Sequence, residues 1–250
     1  MKKTIRVLAI ILNLVLVLSS IPAYAVENNN GSSGNKINDK QKDHPWSRLK
    51  TTKDQITFLE APRIIEIKQS ERVVEALGIK AGDFVADVGA GTGVFTFVIS
   101  KKVGDKGRVF ATDILDGLLN YIDQKRKEKN INNIVLIKST DTKPGLPEKS
   151  CDKIILVDVF VHLNEKEKFM SELSKALKDD GTMTIVGRLR HRPEEVIAQV
   201  TKYGFEFKET HDFLKKHNII VFKASSGRDA VASNGQEDIR VKVEASTPIE

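Results

Sequence analysis

From about residue 46 to residue 224, short runs of β-branched and apolar residues alternate with stretches whose apolar positions return every three or four residues. The runs are "FVADV" (84–88), "RVFATD" (108–113), "NIVLIK" (133–138), "KIILVDVF" (153–160) and "TMTIVGRL" (182–189). Each reads as a strand, and the fourth, apolar almost throughout, has the pattern of a central strand covered on both faces. Helices are predicted between them over 70–77, ending at Gly78, over "VFTFVISKKV" (94–103), over "LLNYIDQKRKEK" (118–129) and over "NEKEKFMSELSKALKDDG" (164–181). The last of these has Asn164 three positions before Glu167, close to a capping box, and sets Phe169, Met170, Leu173, Ala176 and Leu177 on one stripe. "PEEVIAQVTKYG" (193–204) reads as a further helix with Pro193 in its first turn. The rhythm then changes: "FEFKETHDFLKKHNIIVFKA" (205–224) carries two strand patterns with no helix between them, which predicts an antiparallel hairpin. Strands alternating with helices are the signature of an α/β fold with a parallel sheet covered by helices.

Outside this span the pattern is lost. Residues 1–25 begin with Lys2, Lys3 and Arg6, continue through the apolar run "VLAIILNLVLVL" and end on "SSIPAYA", with Ala23 and Ala25 in an A-x-A arrangement. These are the three regions of a secretory signal peptide, so an exported protein, periplasmic or extracellular, is expected. The apolar run is about a dozen residues and includes Asn13, against the roughly 20 of a membrane-spanning helix. A membrane-tethered form requires the signal to stay uncleaved. Residues 26–45 are rich in Asn, Gly, Ser and Lys and read as a disordered tether; residues 225–250 read as a disordered tail, although "IRVKVEA" alternates.

The formal charge of +6 shrinks once the three signal-peptide cations are set aside, leaving 37 basic against 34 acidic residues. The densest basic run, "QKRKEK" (124–129), lies at the polar end of a predicted helix. Binding to a polyanion needs basic charge concentrated on one face, so no nucleic-acid partner is expected. Cys151 is the single cysteine, which excludes an intrachain disulfide and a thiolate zinc site.

The chemistry concentrates in "FVADVGAGTGVF" (84–95). Gly89, Gly91 and Gly93 stand between a strand and a helix, where absent side chains let the backbone turn sharply and approach a ligand. A dinucleotide site usually has G-x-G-x-x-G, but the third glycine position is Val94 here. The spacing is D-x-G-x-G-x-G, from Asp87 to Gly93. A carboxylate leading the bend repels a pyrophosphate and attracts an ammonium or sulfonium, which favours a zwitterionic, cationic ligand. Asp113 ends the next strand, twenty residues after Gly93, where a carboxylate can accept both hydroxyls of a ribose.

These residues, and the order of elements from about Ser70 to Ala224, resemble the class I S-adenosylmethionine-dependent methyltransferases, including quinone-methylase-like, small-molecule and uncharacterised exported members. The resemblance implies a Rossmann-like three-layer sandwich with a seven-stranded, mostly parallel sheet whose last strand is inserted antiparallel. It implies S-adenosylmethionine as cofactor, with Gly89, Ala90, Gly91 and Gly93 along its methionine part, Asp87 supporting that end, and Asp113 and Ile114 at the ribose. "STDTKPGLPEKSCDKIILVDVFVHL" (139–163) resembles the adenine-side loop and fourth strand, with Leu146 and Pro147 matching a Leu-Pro step. Ser139, Thr140 and Asp141 stand where the family often has Gly-Asp or Gly-Asn; Thr140 and Asp141 are the candidate adenine contacts. The Asn-Pro-Pro-Tyr arrangement of amine-methylating relatives is absent after the fourth strand.

Methyl transfer from a sulfonium is an in-line displacement, so alignment and exclusion of water dominate, and a base is needed only for a protonated acceptor. Asp158 and His162 are the candidates, at the end of the fourth strand and in the loop after it. Asp158 can also orient the cofactor's methionine end or bind a backbone amide, and His162 can instead cap the loop. His191 lies in a basic loop between Arg190 and Arg192, and His211 and Asp212 suit a turn of the closing hairpin. Trp46 and residues up to 80 precede the core where class I enzymes build a helical substrate lid. Three readings stand: a methyltransferase acting on a small-molecule, lipid or protein acceptor; an exported protein of that fold that binds without transfer; and a nicotinamide-dependent oxidoreductase.

Overall fold

The structure, a computed structural model, describes residues 49–188 and 192–225. The expected signal peptide, tether and tail, together with Trp46, Arg190 and His191, lie outside the described residues. Three short helices come first: α1 (Thr52–Leu59), α2 (Pro62–Lys68) and α3 (Ser70–Ala76). The alternation then runs β1 (Phe84–Val88), α4 (Val94–Val103), β2 (Arg108–Asp113), α5 (Asp116–Glu128), β3 (Ile134–Lys138) and β4 (Cys151–Val157), followed by a 3-10 turn at Phe160–His162. It closes with α6 (Lys166–Ala176), β5 (Leu177–Arg188), α7 (Pro193–Thr201), β6 (Phe205–His211) and β7 (His217–Ala224).

The seven strands form one sheet in the order β3-β2-β1-β4-β5-β7-β6. All pairs are parallel except those of β7, which runs antiparallel to both β5 and β6. The α/β, Rossmann-like expectation with an antiparallel strand inserted at the end is therefore what the chain builds. Strand order reverses between β1 and β4, and an open sheet of this kind offers a crevice outside the carboxyl ends at that switch point. Because β7 runs the other way, its first residue, His217, pairs with Arg188 at the last position of β5, at the same carboxyl edge. Val73, Val74, Ile79, Phe95, Ile99 and Val103 pack with the strand residues Val85, Val109 and Ile155 into one apolar core beneath that edge.

Two element boundaries differ from the sequence pattern. The fourth strand ends at Val157 rather than Phe160, because Asp158 turns to φ 58, a left-handed conformation that no strand continues through. The helix predicted to Gly181 ends at Ala176, and Leu177 already pairs with Cys151 in the sheet. Here burial overrode helix propensity: the stripe Phe169, Met170, Leu173, Ala176 and Leu177 is buried, and the chain irregularity between Cys151 and Lys153 absorbs the polar "KDD". The expected capping box is not made, since Glu165 is the N-cap and no side chain caps the helix.

Candidate active site

The bend after β1 takes the left-handed conformation at each alternate position, with φ 72 at Gly89, 58 at Gly91 and 83 at Gly93. A side chain at Gly89 would collide with Val159 of the β4 loop, and one at Gly91 would come within 3.1 Å of Leu59 at the end of α1. Glycine is thus required both by conformation and by the closeness of the walls. Gly89 N and Ala90 N both donate to Thr112 O, at 2.8 and 2.9 Å, and Gly93, the N-cap of α4, donates to Ala90 O at 2.9 Å.

Asp113 holds this bend from β2. Its Oδ2 accepts from Gly91 N and its Oδ1 from Leu115 N, each at 2.9 Å. Burial pushes its pKa above the usual carboxylate value, while those backbone bonds, that of Ile114 and the Lys138 charge oppose the rise. Each carboxylate oxygen keeps a second lone pair, so bracing the bend leaves capacity for a ligand hydroxyl. Ile114 follows as one of the few exposed large apolar side chains among the described residues, and its carbonyl accepts from Lys138 Nζ at 2.8 Å. Ser139 N donates to Asp113 O, which sets the 139–141 loop beside Asp113. Thr140 Oγ1 is used within its own turn, accepting from Lys143 N at 3.0 Å, and Asp141 is half-buried.

Asp87 sits beneath the bend, buried, its Oδ2 accepting from Thr96 Oγ1 at 2.6 Å. Burial lifts its pKa to about 6, against the pull of Thr96 and Lys68 and with a further push from the Asp113 charge. A carboxylate that is ionised at neutral pH and undercompensated favours a cation placed near it.

On the other side of the switch point, Asp158 N donates to Val186 O at 2.8 Å, and its side chain faces two groups that no sequence motif marks, Lys68 and His217. Lys68 Nζ lies 3.9 Å from Asp158 Oδ2, and His217 Nε2 lies 3.4 Å from Oδ1. Neither approach meets hydrogen-bond geometry, and both ring nitrogens of the buried His217 lack a hydrogen-bond partner among the described residues. Burial raises the Asp158 pKa, but His217, Lys68 and Arg188 outweigh it and hold the carboxyl below its ordinary value. Burial lowers the Lys68 pKa, Asp158 and Asp87 draw it up, and Arg188 pushes it further down.

The structure thus brings Asp87, Gly89, Ala90, Gly91, Gly93, Asp113, Ile114 and Asp158 to one edge, with Thr140 and Asp141 beyond β2. His162 ends the 3-10 turn, its backbone N–H bonded to Val159 O at 2.8 Å; the imidazole that faces Asp158 is that of His217. Only the antiparallel course of β7, together with its pairing to β5, carries His217 there, so a His opening a strand is the one signal available in sequence. Lys68 closes the amphipathic run "PRIIEIK" and reads there as a solvated helix end. The α1 segment is also tied to the cleft: Glu60 accepts from Tyr121 Oη at 2.7 Å and from Lys125 Nζ at 2.5 Å, both on α5. Cys151 is buried, and burial pushes its thiol up to about 12, which leaves it chemically quiet.

Residues 86–185 match the family model of the methyltransferase domain. The chain is similar to a demethylmenaquinone methyltransferase of Lactobacillus johnsonii, 27% identical over 149 residues, covering 58% of this chain and 59% of the relative. It is 28% identical over 134 residues to the ubiquinone/menaquinone biosynthesis C-methyltransferase UbiE of a Shewanella species, covering 53% of each. The chain thus spans little more than half the length of these curated relatives. Among solved structures it is similar to a SAM-dependent methyltransferase from Aquifex aeolicus, 28% identical, TM-score 0.62, covering 67% of this chain and 95% of that one. The [4+2]-cyclase SpnF shares the fold at 11% identity and TM-score 0.57, covering 64% of this chain and 81% of that one.

Proposed function

We propose that this chain, whose described domain belongs to the class I S-adenosylmethionine-dependent methyltransferases, transfers the cofactor's methyl group to a small-molecule acceptor. The observation that carries the reading is the glycine bend held by Asp113 over a buried, undercompensated Asp87 at the switch point of the sheet. The bend fits such a cofactor in conformation: three left-handed glycines carry no side chain where Val159 and Leu59 close on the backbone. Gly89, Ala90, Gly91 and Gly93 would lie along the methionine part, Asp87 would face its positive charge, and Asp113 and Ile114 would meet the ribose. Thr140 and Asp141 would meet the base from the 139–141 loop. When bound, the cofactor supplies an activated methyl carbon on a sulfonium. The chain's part is to align the acceptor with that carbon, keep water out with α1 and α2, and take a proton where the acceptor carries one. Asp158, after β4, and His162, at the end of the 3-10 turn, are the candidates for that last task. The relatives' names support a small, apolar acceptor of quinone type without identifying one.

Calorimetric titration with S-adenosylhomocysteine tests this. Binding by the folded wild-type domain is expected, weakened at least tenfold, about 1.4 kcal/mol, in Asp113→Ala. No binding by folded protein, or undiminished binding by the variant, would overturn the assignment.

Residues 1–25 support a further part of the reading, that the protein is exported and matured after Ala25; N-terminal sequencing of the chain recovered outside the cytosol checks it. If the chain is exported, a second reading gains support, a binding protein of this fold without transfer activity, since the cofactor is made in the cytosol and the fold also serves a protein named as a cyclase. Label transfer from methyl-labelled cofactor to any component of a cell extract by purified exported protein would exclude that reading.

A further inference from the structure

No motif marks Lys138, the last residue of β3. In the sheet it stands in register with Asp113, the last residue of β2, and its side chain reaches the turn that leads from β2 into α5. There Nζ donates to Ile114 O at 2.8 Å and pairs with Asp116 Oδ2 at 2.6 Å, so the ammonium grips the residues on either side of Leu115. Leu115 N is the donor that holds Asp113 Oδ1 at 2.9 Å, and Gly91 N holds the other carboxylate oxygen. Gly91 is braced by the glycine bend. Leu115 is the N-cap of α5 but has no oxygen to cap it, and no side chain does so. The brace on the Leu115 side of the carboxylate is therefore Lys138. Its own backbone is fixed: Ser139 N donates to Asp113 O at 3.0 Å, and the loop after β3 returns so closely that a Cβ at Gly145 would lie 2.6 Å from Ile137 and 3.4 Å from Lys138 O.

We propose that Lys138 is a positioning residue of the cofactor site: it pins the 114–116 turn and so aims the Asp113 carboxylate at the ribose hydroxyls. The inference rests on the methyltransferase reading of the cleft, which supplies the ribose. Lys138 acts through Leu115 N and need not touch the ligand. Its charge works in the same direction. Burial drives the Asp113 pKa up, while the Gly91, Leu115 and Ile114 amides and the Lys138 charge oppose that rise and keep the side chain an acceptor. The competing account is a surface ion pair, since the Lys138 and Asp116 side chains are 27% and 66% exposed and such pairs contribute little. A pair that only adds stability does not distinguish nucleosides by their hydroxyls.

The test compares wild type with Lys138→Met, Lys138→Arg, Asp113→Ala and the double variant Lys138→Met/Asp113→Ala. Calorimetry measures S-adenosylhomocysteine. Ligand-observed NMR measures adenosine against 2′,3′-dideoxyadenosine, which lacks both ribose hydroxyls. Lys138→Met is expected to weaken S-adenosylhomocysteine and adenosine each about fivefold, within what one hydrogen bond contributes, and to leave 2′,3′-dideoxyadenosine as in wild type, which also shows that the variant folds. Lys138→Arg keeps the charge and the donors and is expected to keep the preference for adenosine. In the Asp113→Ala background Lys138→Met is expected to change neither S-adenosylhomocysteine nor adenosine further, because the group it aims is gone. The proposal is overturned if Lys138→Met leaves the adenosine preference as in wild type, weakens both nucleosides equally, or keeps its full effect without Asp113. Wild type that binds neither S-adenosylhomocysteine nor adenosine overturns the cofactor reading and the proposal with it, whereas wild-type binding that Lys138→Met leaves intact overturns the proposal alone.

Discussion

Asp87 combines two demands that oppose each other, burial and charge. Its folded pKa of about 6 lies above the ordinary 3.8, so the folded chain retains a proton that the unfolded chain releases between those values. Stability from this group is full below about pH 4 and is lost as pH rises through 6, by roughly 3 kcal/mol from two pKa units. Asn at this position still accepts from Thr96 and does not titrate. Urea unfolding from pH 4 to 7 should therefore find Asp87→Asn gaining on wild type as pH rises; a difference that stays constant with pH would remove the argument. Near neutral pH the same uncompensated charge is what a cationic ligand relieves. The aspartate at the head of the glycine bend was legible in sequence, and so was the sign of charge it prefers. Its protonation near pH 6 was not, because it depends on Thr96, Lys68 and Asp113 being assembled around it.

At the scale of elements, the bend between β1 and α4 works because two other elements crowd it. Val159 of the β4 loop leaves no space for a Cβ at Gly89, and Gly89 N is already committed to Thr112 O. Gly89→Ala meets both a left-handed backbone and a contact with Val159, and should lose at least about 1–2 kcal/mol on the backbone account alone. Val159→Ala opens the space without relaxing φ, so the double variant should recover part and not all of the loss in chemical denaturation. Full additivity of the two single effects would mean that Val159 does not press on the bend. The glycines' positions were readable from their spacing; the partner that makes the first one indispensable was not, because Val159 is seventy residues further along the chain. The helix and strand boundaries follow the same logic. Leu177 joins the sheet rather than the helix since Cys151 lies beside it, and a local pattern holds no information about Cys151.

For the whole molecule, α1 and α2 precede the matched core yet complete the cleft through Leu59, Glu60 and Lys68. A ligand in that cleft should tighten the N-terminal helices together with the sheet edge. S-adenosylhomocysteine at a hundredfold excess over its Kd is expected to add about 2.7 kcal/mol, raising Tm by roughly 5–10 °C. Hydrogen exchange should slow at 52–68 as well as at 89–93; protection confined to the bend would separate the N-terminal helices from the site. By itself the sequence determined the α/β alternation, the closing hairpin, the glycine bend and its two carboxylates, since these rest on local periodicity, turn chemistry and spacing. Tertiary structure alone decided that β7 enters between β5 and β6, and with it that His217 reaches Asp158 from one end of the chain while Lys68 reaches it from the other. The physical reason is that strand direction and long-range packing place side chains at an edge, and neither leaves a mark on the residues nearby.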